Sequence, residues 1–236
     1  MREYLCRFLG LRPYSDDIAQ RLTARHELSV RLAESQNFAE RILDVGCGTG
    51  WFEFLCAHRL RSAVCGVDVA RAIVEQAKHN APQADYVVGS VFTLPFPDGA
   101  FDGAVIFEVI EHVPKHREIA ALAEARRVLK KGAWLVLSTP YANPLSALLD
   151  PAWYFGHRHY SRRRIFSIMS AAGFRPVESI VRGGFWELGS IISLYAFKWL
   201  LRAEPPLQAL VERHRRDEYL SGRQGISNIF VQAVAT

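Results

Sequence analysis

Arg41-Ile-Leu-Asp-Val-Gly-Cys-Gly-Thr-Gly50 is the stretch whose reading decides the rest of the chain. Ile42 to Val45 is a short apolar run that suits a buried strand. Glycines follow at every second position, Gly46, Gly48 and Gly50. Trp51-Phe-Glu-Phe-Leu-Cys-Ala-His58 comes next, and its apolar spacing suits a helix. Strand, glycine turn and helix together bring a ligand against bare backbone. Glycine lacks a Cβ and takes positive φ at little cost, and the start of the helix offers unpaired N–H groups. A dinucleotide fold wants G-x-G-x-x-G, but the sixth position from Gly46 is Trp51, so that fingerprint fails. The spacing present is Asp44-x-Gly46-x-Gly48-x-Gly50.

The segments on either side extend the pattern. Residues 26 to 40 read as a helix leading into the first strand. Ser62-Ala-Val-Cys-Gly-Val-Asp68 reads as a second strand with a carboxylate at its end. Asp68 lies some twenty residues beyond the glycines, where an α/β nucleotide fold puts an acid for ribose hydroxyls. It also suits an N-cap for a helix over 71–79. A third strand follows at Asp85-Tyr-Val-Val-Gly89, with Ser90 and Val91 after it. Then come Leu94-Pro-Phe-Pro-Asp98, Phe101-Asp102, and a fourth strand over 103–107. In Phe107-Glu-Val-Ile-Glu-His-Val-Pro114, helical spacing would put Glu108, Glu111 and His112 on one face. A helix over 116–130, with Ile119, Leu122 and Val128 on its apolar face, leads through Lys131-Gly132 to a fifth strand over 134–139.

These motifs, in this order, resemble the class I S-adenosylmethionine (SAM) dependent methyltransferases, over about residues 40 to 180 plus the final strand. Within them the chain is most similar to the small-molecule branch of the ubiquinone-pathway O-methyltransferase type. The resemblance implies an α/β, Rossmann-like seven-stranded sheet, mostly parallel with the last strand antiparallel, and helices on both faces. It implies SAM as cofactor, held by Asp44, Gly46, Cys47, Gly48, Gly50, Asp68, Val69, Ser90, Val91 and Phe107. The family usually has Asp where Ser90 stands; Ser90 Oγ can still accept one hydrogen bond, and the Val91 N–H can serve a ring nitrogen. Glu-Val-Ile-Glu-His also resembles the RNA 3′-terminal 2′-O-methyltransferases, where such a string and a later His hold a divalent metal. Carried over, that set would be Glu108, Glu111, His112 and His157; no metal is the primary expectation.

Leu145 to Phe155 reads as an irregular connection bordering the acceptor pocket, and Ser161 as the N-cap of a helix over 162–172. In Gly156-His-Arg-His-Tyr-Ser161 the two histidines stand two apart, so in extended chain they point the same way. Glu108, His112, His157 and His159 are the candidate catalytic residues, an imidazole being the natural base for an oxygen acceptor. A sixth strand is expected over 173–182 and the last over 227–236. The family joins these by a short loop; here some forty residues, 183–225, intervene. Within them Gly184 to Arg202 is the most apolar stretch of the chain, too short in its uncharged core to span a bilayer. Glu187, Ser190 and Ser193 would form its narrow polar stripe, and Trp186, Trp199, Lys198 and Arg202 suit an interfacial position. Three fates stay open for it: a lid over an apolar acceptor, a homodimer contact, or a peripheral membrane contact.

The 236 residues suit a single domain with a helical cap over 1–39, and half of them are hydrophobic. A formal charge of +5 is ordinary for a soluble enzyme and also fits an anionic partner. Four cysteines without a C-x-x-C pair fit a reducing, cytoplasmic setting, with the inner membrane surface as the alternative site. The first twelve residues contain Arg7 within a short apolar run and do not read as a secretory leader; they suit a basic amphipathic helix. The expected reaction is methyl transfer to the oxygen of a small, apolar or lipid-linked acceptor. RNA ribose methylation, for which no aromatic-basic platform is evident, and a non-catalytic SAM-binding scaffold are the alternatives.

Overall fold

The computed structural model describes residues 17–57 and 59–236, so the expected N-terminal amphipathic helix lies outside the described residues. Seven strands form one sheet: β1 Arg41–Val45, β2 Ala63–Asp68, β3 Asp85–Val88, β4 Phe101–Phe107, β5 Leu129–Pro140, β6 Phe174–Arg182 and β7 Asn228–Ala235. Their order is β3-β2-β1-β4-β5-β7-β6. Neighbours from β3 to β5 pair in parallel, and β7 runs antiparallel to both β5 and β6. This is the Rossmann-like sheet that the motif order implied.

Helices cover both faces because the central strands are apolar on both. Ile42, Val64, Val105 and Val136 face one core with Val30, Ala33, Phe52 and Cys56; these come from α2 (Ala24–Glu34) and α3 (Trp51–Cys56). The alternate residues Leu43, Cys65, Ala104, Ile106 and Leu135 face the other core. There they meet α5 (Glu118–Val128) and α7 (Arg162–Ala171), through Leu122, Ala125, Ile165 and Met169. The two-residue period of a strand thus feeds two cores. Gly103 is required by close approach: a Cβ there would come 2.3 Å from the Trp134 ring. The remaining helices are α1 (Ile18–Arg21), α4 (Arg71–Asn80), α6 (Pro144–Leu149), α8 (Phe185–Leu201) and α9 (Gln208–Leu220).

Several local expectations are corrected. The stretch 145–155 is not irregular: α6 and a 3-10 turn, Pro151–Phe155, fill it, capped by the side chains of Asn143 and Asp150. Residues 108–113 form turns, not a helix, and Glu108 takes a left-handed φ of 56°. Ile119 points outward at 45% exposure, while Leu122 and Val128 are buried as expected. Asp68 does not N-cap α4, whose cap residue is Ala70. The 183–225 insertion folds as α8 and α9, with α9 packed on α2 through Tyr219, Leu28 and Ala24.

Candidate active site

The carboxyl ends of β1, β2 and β4 carry the first half of the site. All three turn glycines take positive φ, 80°, 52° and 81°. The Gly46 and Cys47 N–H groups both donate to the Val67 carbonyl, at 2.7 and 3.0 Å, so the turn is latched to β2. A Cβ at Gly46 would meet Val109 at 2.4 Å, whereas at Gly48 it would meet nothing within 4 Å. Gly48 therefore presents an open face, the cradle that the glycine pattern implied. The Asp68 carboxylate accepts from the Gly48 N–H at 3.2 Å and the Ala70 N–H at 3.0 Å, joining the turn to the start of α4. Its oxygens keep lone pairs for a diol.

The other cofactor candidates divide. Val69 is 73% exposed beside Asp68 and offers an apolar surface for a flat ring. Ser90 Oγ accepts from the Phe92 N–H at 3.2 Å and has a second lone pair and a proton left. Val91 is partly buried against the core. Phe107 sends its ring into the core between Trp51 and Phe52, so only its backbone stands at the strand end. Cys47 and Asp44 are buried beneath the turn. Asp44 lies against Glu53 of α3: burial, then their mutual repulsion, pushes Asp44 well up. Burial raises Glu53 to about 8. The pair holds a proton near neutral pH.

The second half sits beyond β4 and β5. Glu108 does not share a face with Glu111 and His112. Its left-handed backbone turns the carboxylate toward Ser138 Oγ (2.6 Å), Arg25 Nη1 (2.7 Å) and Asn228 Nδ2 (3.0 Å). It is thus an anchor joining α2, β5 and β7, and it stands apart from Glu111, His112 and His157, whose ligand atoms do lie within 4.8 Å of one another. Glu111 is buried; Thr139 Oγ1 donates to its Oε2 at 3.0 Å, and its Oε1 lies 3.6 Å from His157 Nε2. Burial, then the Glu108 charge, raises its carboxyl.

The two histidines do point the same way. His157 Nδ1 and His159 Nε2 each lie 3.0 Å from Asp150 Oδ2, whose other oxygen accepts the Ala152 N–H at 2.9 Å. Burial opposes charge on His157, but the hydrogen bond to Asp150 and the Glu111 carboxylate 3.6 Å away outweigh it and hold His157 up at about 9. His157 is therefore an imidazolium at neutral pH and not the free base that its sequence position suggested. Asp150 is held low: burial works against ionisation, and the bonds to His157 and His159 overcome it. His112 stands at the surface with its ring 4.8 Å from that of His157. Arg158 fastens this segment to the post-β4 turn through Glu118 (2.9 Å) and the Ile110 carbonyl (2.9 Å).

Asp150, Arg25 and Asn228 escaped the sequence reading. Asp150 lies seven and nine residues before its histidines, a separation with no helical or strand periodicity, and a 3-10 turn brings them together. A cleft of about 290 Å³ joins the polar cluster to α8, with Arg25, Glu108, Asp150 and His159 on one side and Leu188 and Tyr195 on the other.

Residues 43–137 match the family described as a methyltransferase domain. A probable S-adenosylmethionine-dependent methyltransferase of Mycolicibacterium smegmatis is 29% identical over 157 residues, 66% of this chain and 60% of that protein. The malonyl-acyl-carrier-protein O-methyltransferase of Serratia marcescens is 32% identical over 130 residues, 53% of this chain and 48% of that protein. The chain thus spans about half the length of these curated relatives. A solved geranyl diphosphate methyltransferase in complex with SAM shares the fold, with a TM-score of 0.63 at 19% identity over 90% of this chain and 85% of that one. The open face at Gly48, the Asp68 carboxylate and the sheet order all fit that cofactor. Residues 43–137 thus match a methyltransferase domain, and the chain is similar to S-adenosylmethionine-dependent methyltransferases in sequence and shares their fold.

Proposed function

We propose that the protein transfers a methyl group to the hydroxyl oxygen of a small, largely apolar acceptor. The observation that carries this reading is the cleft itself, in which the Asp150, His157 and His159 cluster faces Leu188, Ile191 and Leu194 of α8. SAM supplies a methyl on a cationic sulfur, and transfer to oxygen leaves the neutral thioether. The chain's own contribution is alignment and exclusion of water. An apolar helix wall favours the carbon skeleton of the acceptor, and the opposite wall takes its polar end. The hydroxyl proton is released on the His159 side of the Asp150-His157-His159 cluster, His157 being already protonated. Glu108, fastened to Arg25, Ser138 and Asn228, keeps the β4, β5 and β7 ends in register beside it.

The same geometry supports the lid among the three fates of the apolar helix, since its inner residues line the cleft. Phe185, Trp186 and Ile192 remain exposed on α8. No helix among the described residues is long and apolar enough to cross a membrane. The relative from Serratia marcescens, named for O-methylation, supports oxygen as the accepting atom.

The test uses SAM labelled in its methyl group, incubated with the protein and a fractionated cell lysate. Label is expected in the organic-solvent extract, on an ether oxygen, and should fall at least tenfold when Ile191 is replaced by Ser with SAM affinity unchanged. Label concentrated in RNA or protein would overturn the reading.

A further inference from the structure

We infer that Asp150, His157 and His159 form a binding site for a divalent transition metal of the zinc class on the wall of the acceptor cleft. One carboxylate oxygen and one nitrogen from each ring converge: Asp150 Oδ2 lies 3.0 Å from both His157 Nδ1 and His159 Nε2. The three donor atoms all lie within 4.8 Å of one another. Zinc holds imidazole nitrogen and carboxylate oxygen at about 2.0–2.2 Å, so ligands around one tetrahedral ion stand about 3.3 Å apart. The two pairs that share Asp150 Oδ2 need an outward shift of only a few tenths of an ångström.

A further observation points to a ligand at this place. Glu111, with its side chain fully buried, leaves Oε1 without a hydrogen-bond partner among the described residues, and that atom lies 3.6 Å from His157 Nε2. A metal on Nδ1 would displace the proton held there, releasing it to solvent, and leave His157 as the Nε2–H tautomer aimed at this carboxylate, the arrangement that orients metal-binding histidines. His159, its side chain 3% exposed, presents Nε2 to Asp150 at 3.0 Å, with its ring 5.1 Å from that of Trp153 and 6.2 Å from that of His157. Two imidazoles and one carboxylate select zinc, cobalt, iron or manganese over magnesium or calcium, which prefer oxygen. Three protein ligands leave a coordination position, and all three residues line the cleft. Glu111, His112 and His157 also lie close enough to share an ion. That set spends a Glu111 already bonded to Thr139 and a His112 at the surface, so the Asp150 set is the better prepared. What the ion would do, polarising an acceptor hydroxyl, rests on the proposed O-methylation; its binding does not.

The test titrates the metal-free full chain with Zn²⁺ by calorimetry and follows the ring ¹⁵N resonances of the histidines. One equivalent is expected, with the His157 and His159 resonances shifting and His112 unmoved. Asp150→Asn and His159→Gln should each weaken binding at least about tenfold while circular dichroism and SAM affinity stay those of the unsubstituted protein. Absence of saturable binding would overturn the proposal. So would binding that leaves the His159 resonances unmoved, or that is lost in His112→Ala but kept in Asp150→Asn. If a variant fails to fold, the resonances of the unsubstituted protein still decide. A chain that binds zinc in this way yet methylates no hydroxyl acceptor would sink the proposed reaction alone.

Discussion

His157 and Asp150 show how much of the site's chemistry is set by one pair of side chains. The folded pKa of His157, about 9, lies above its ordinary value of 6.5, and that of Asp150 lies below its ordinary 3.8. A raised histidine stabilises the fold fully below about pH 6.5 and loses that contribution as pH rises through about 9. A depressed aspartate contributes above about pH 4 and loses it as pH falls. The pair should therefore stabilise most between about pH 4 and 6.5, with up to about 3 kcal/mol lost by pH 9.5. Glu53, raised to about 8, adds a decline of the same sign between about pH 4.5 and 8. Urea unfolding at pH 6 and 9.5 separates the two. The difference between the protein and its Asp150→Asn variant should shrink at the higher pH, and a pH-independent difference would remove the ion pair from the account. The histidines were legible from sequence, but their charge was not, because Asp150 and Glu111 reach them only through the folded chain.

At the scale of elements, α8 is the clearest case of a helix visible in the sequence whose attachment was not. Its apolar length was evident, and Glu187 read as part of an outward polar stripe. In the fold Glu187 is buried and ion-paired with Arg215 of α9 at 2.6 Å, and Arg215 also holds Glu212 at 2.8 Å. Glu218 of α9 accepts from the N–H groups of Gly184, Trp186 and Glu187 at 2.8–2.9 Å, satisfying the start of α8 with a carboxylate. Removing one partner of a buried ion pair strands the other charge. Glu187→Ala should therefore cost about 3 kcal/mol in chemical denaturation, and the double replacement Glu187→Leu with Arg215→Met should recover most of it. Equal losses in single and double variants would show that packing, not charge, holds α8. The turn after β4 makes the converse point. Helical spacing put Glu108 beside Glu111, but a left-handed Glu108 breaks that periodicity and sends the two carboxylates to different partners.

For the whole molecule, cofactor binding and stability are linked, because the glycine turn, β2 and α4 meet only in the folded state. SAM at about a hundred times its dissociation constant should add about 2.7 kcal/mol, raising the melting temperature by roughly 5–10 °C for a chain of this size. Scanning fluorimetry with and without SAM reads this directly. Asp68→Ala should abolish the shift at the same concentration, and a full shift in that variant would take Asp68 out of the cofactor site. By itself the sequence determined the sheet, the glycine turn with its acid twenty residues on, and the cofactor class. These rest on backbone conformation and on the order of strands, which neighbouring residues dictate. Only the tertiary structure decided which carboxylates anchor and which face the cleft. Arg25 and Asn228 reach Glu108 across 83 and 120 residues of chain, and Arg215 reaches Glu187 across 28. Pairing at such separations follows from packing of the two cores and the insertion, which no local pattern encodes.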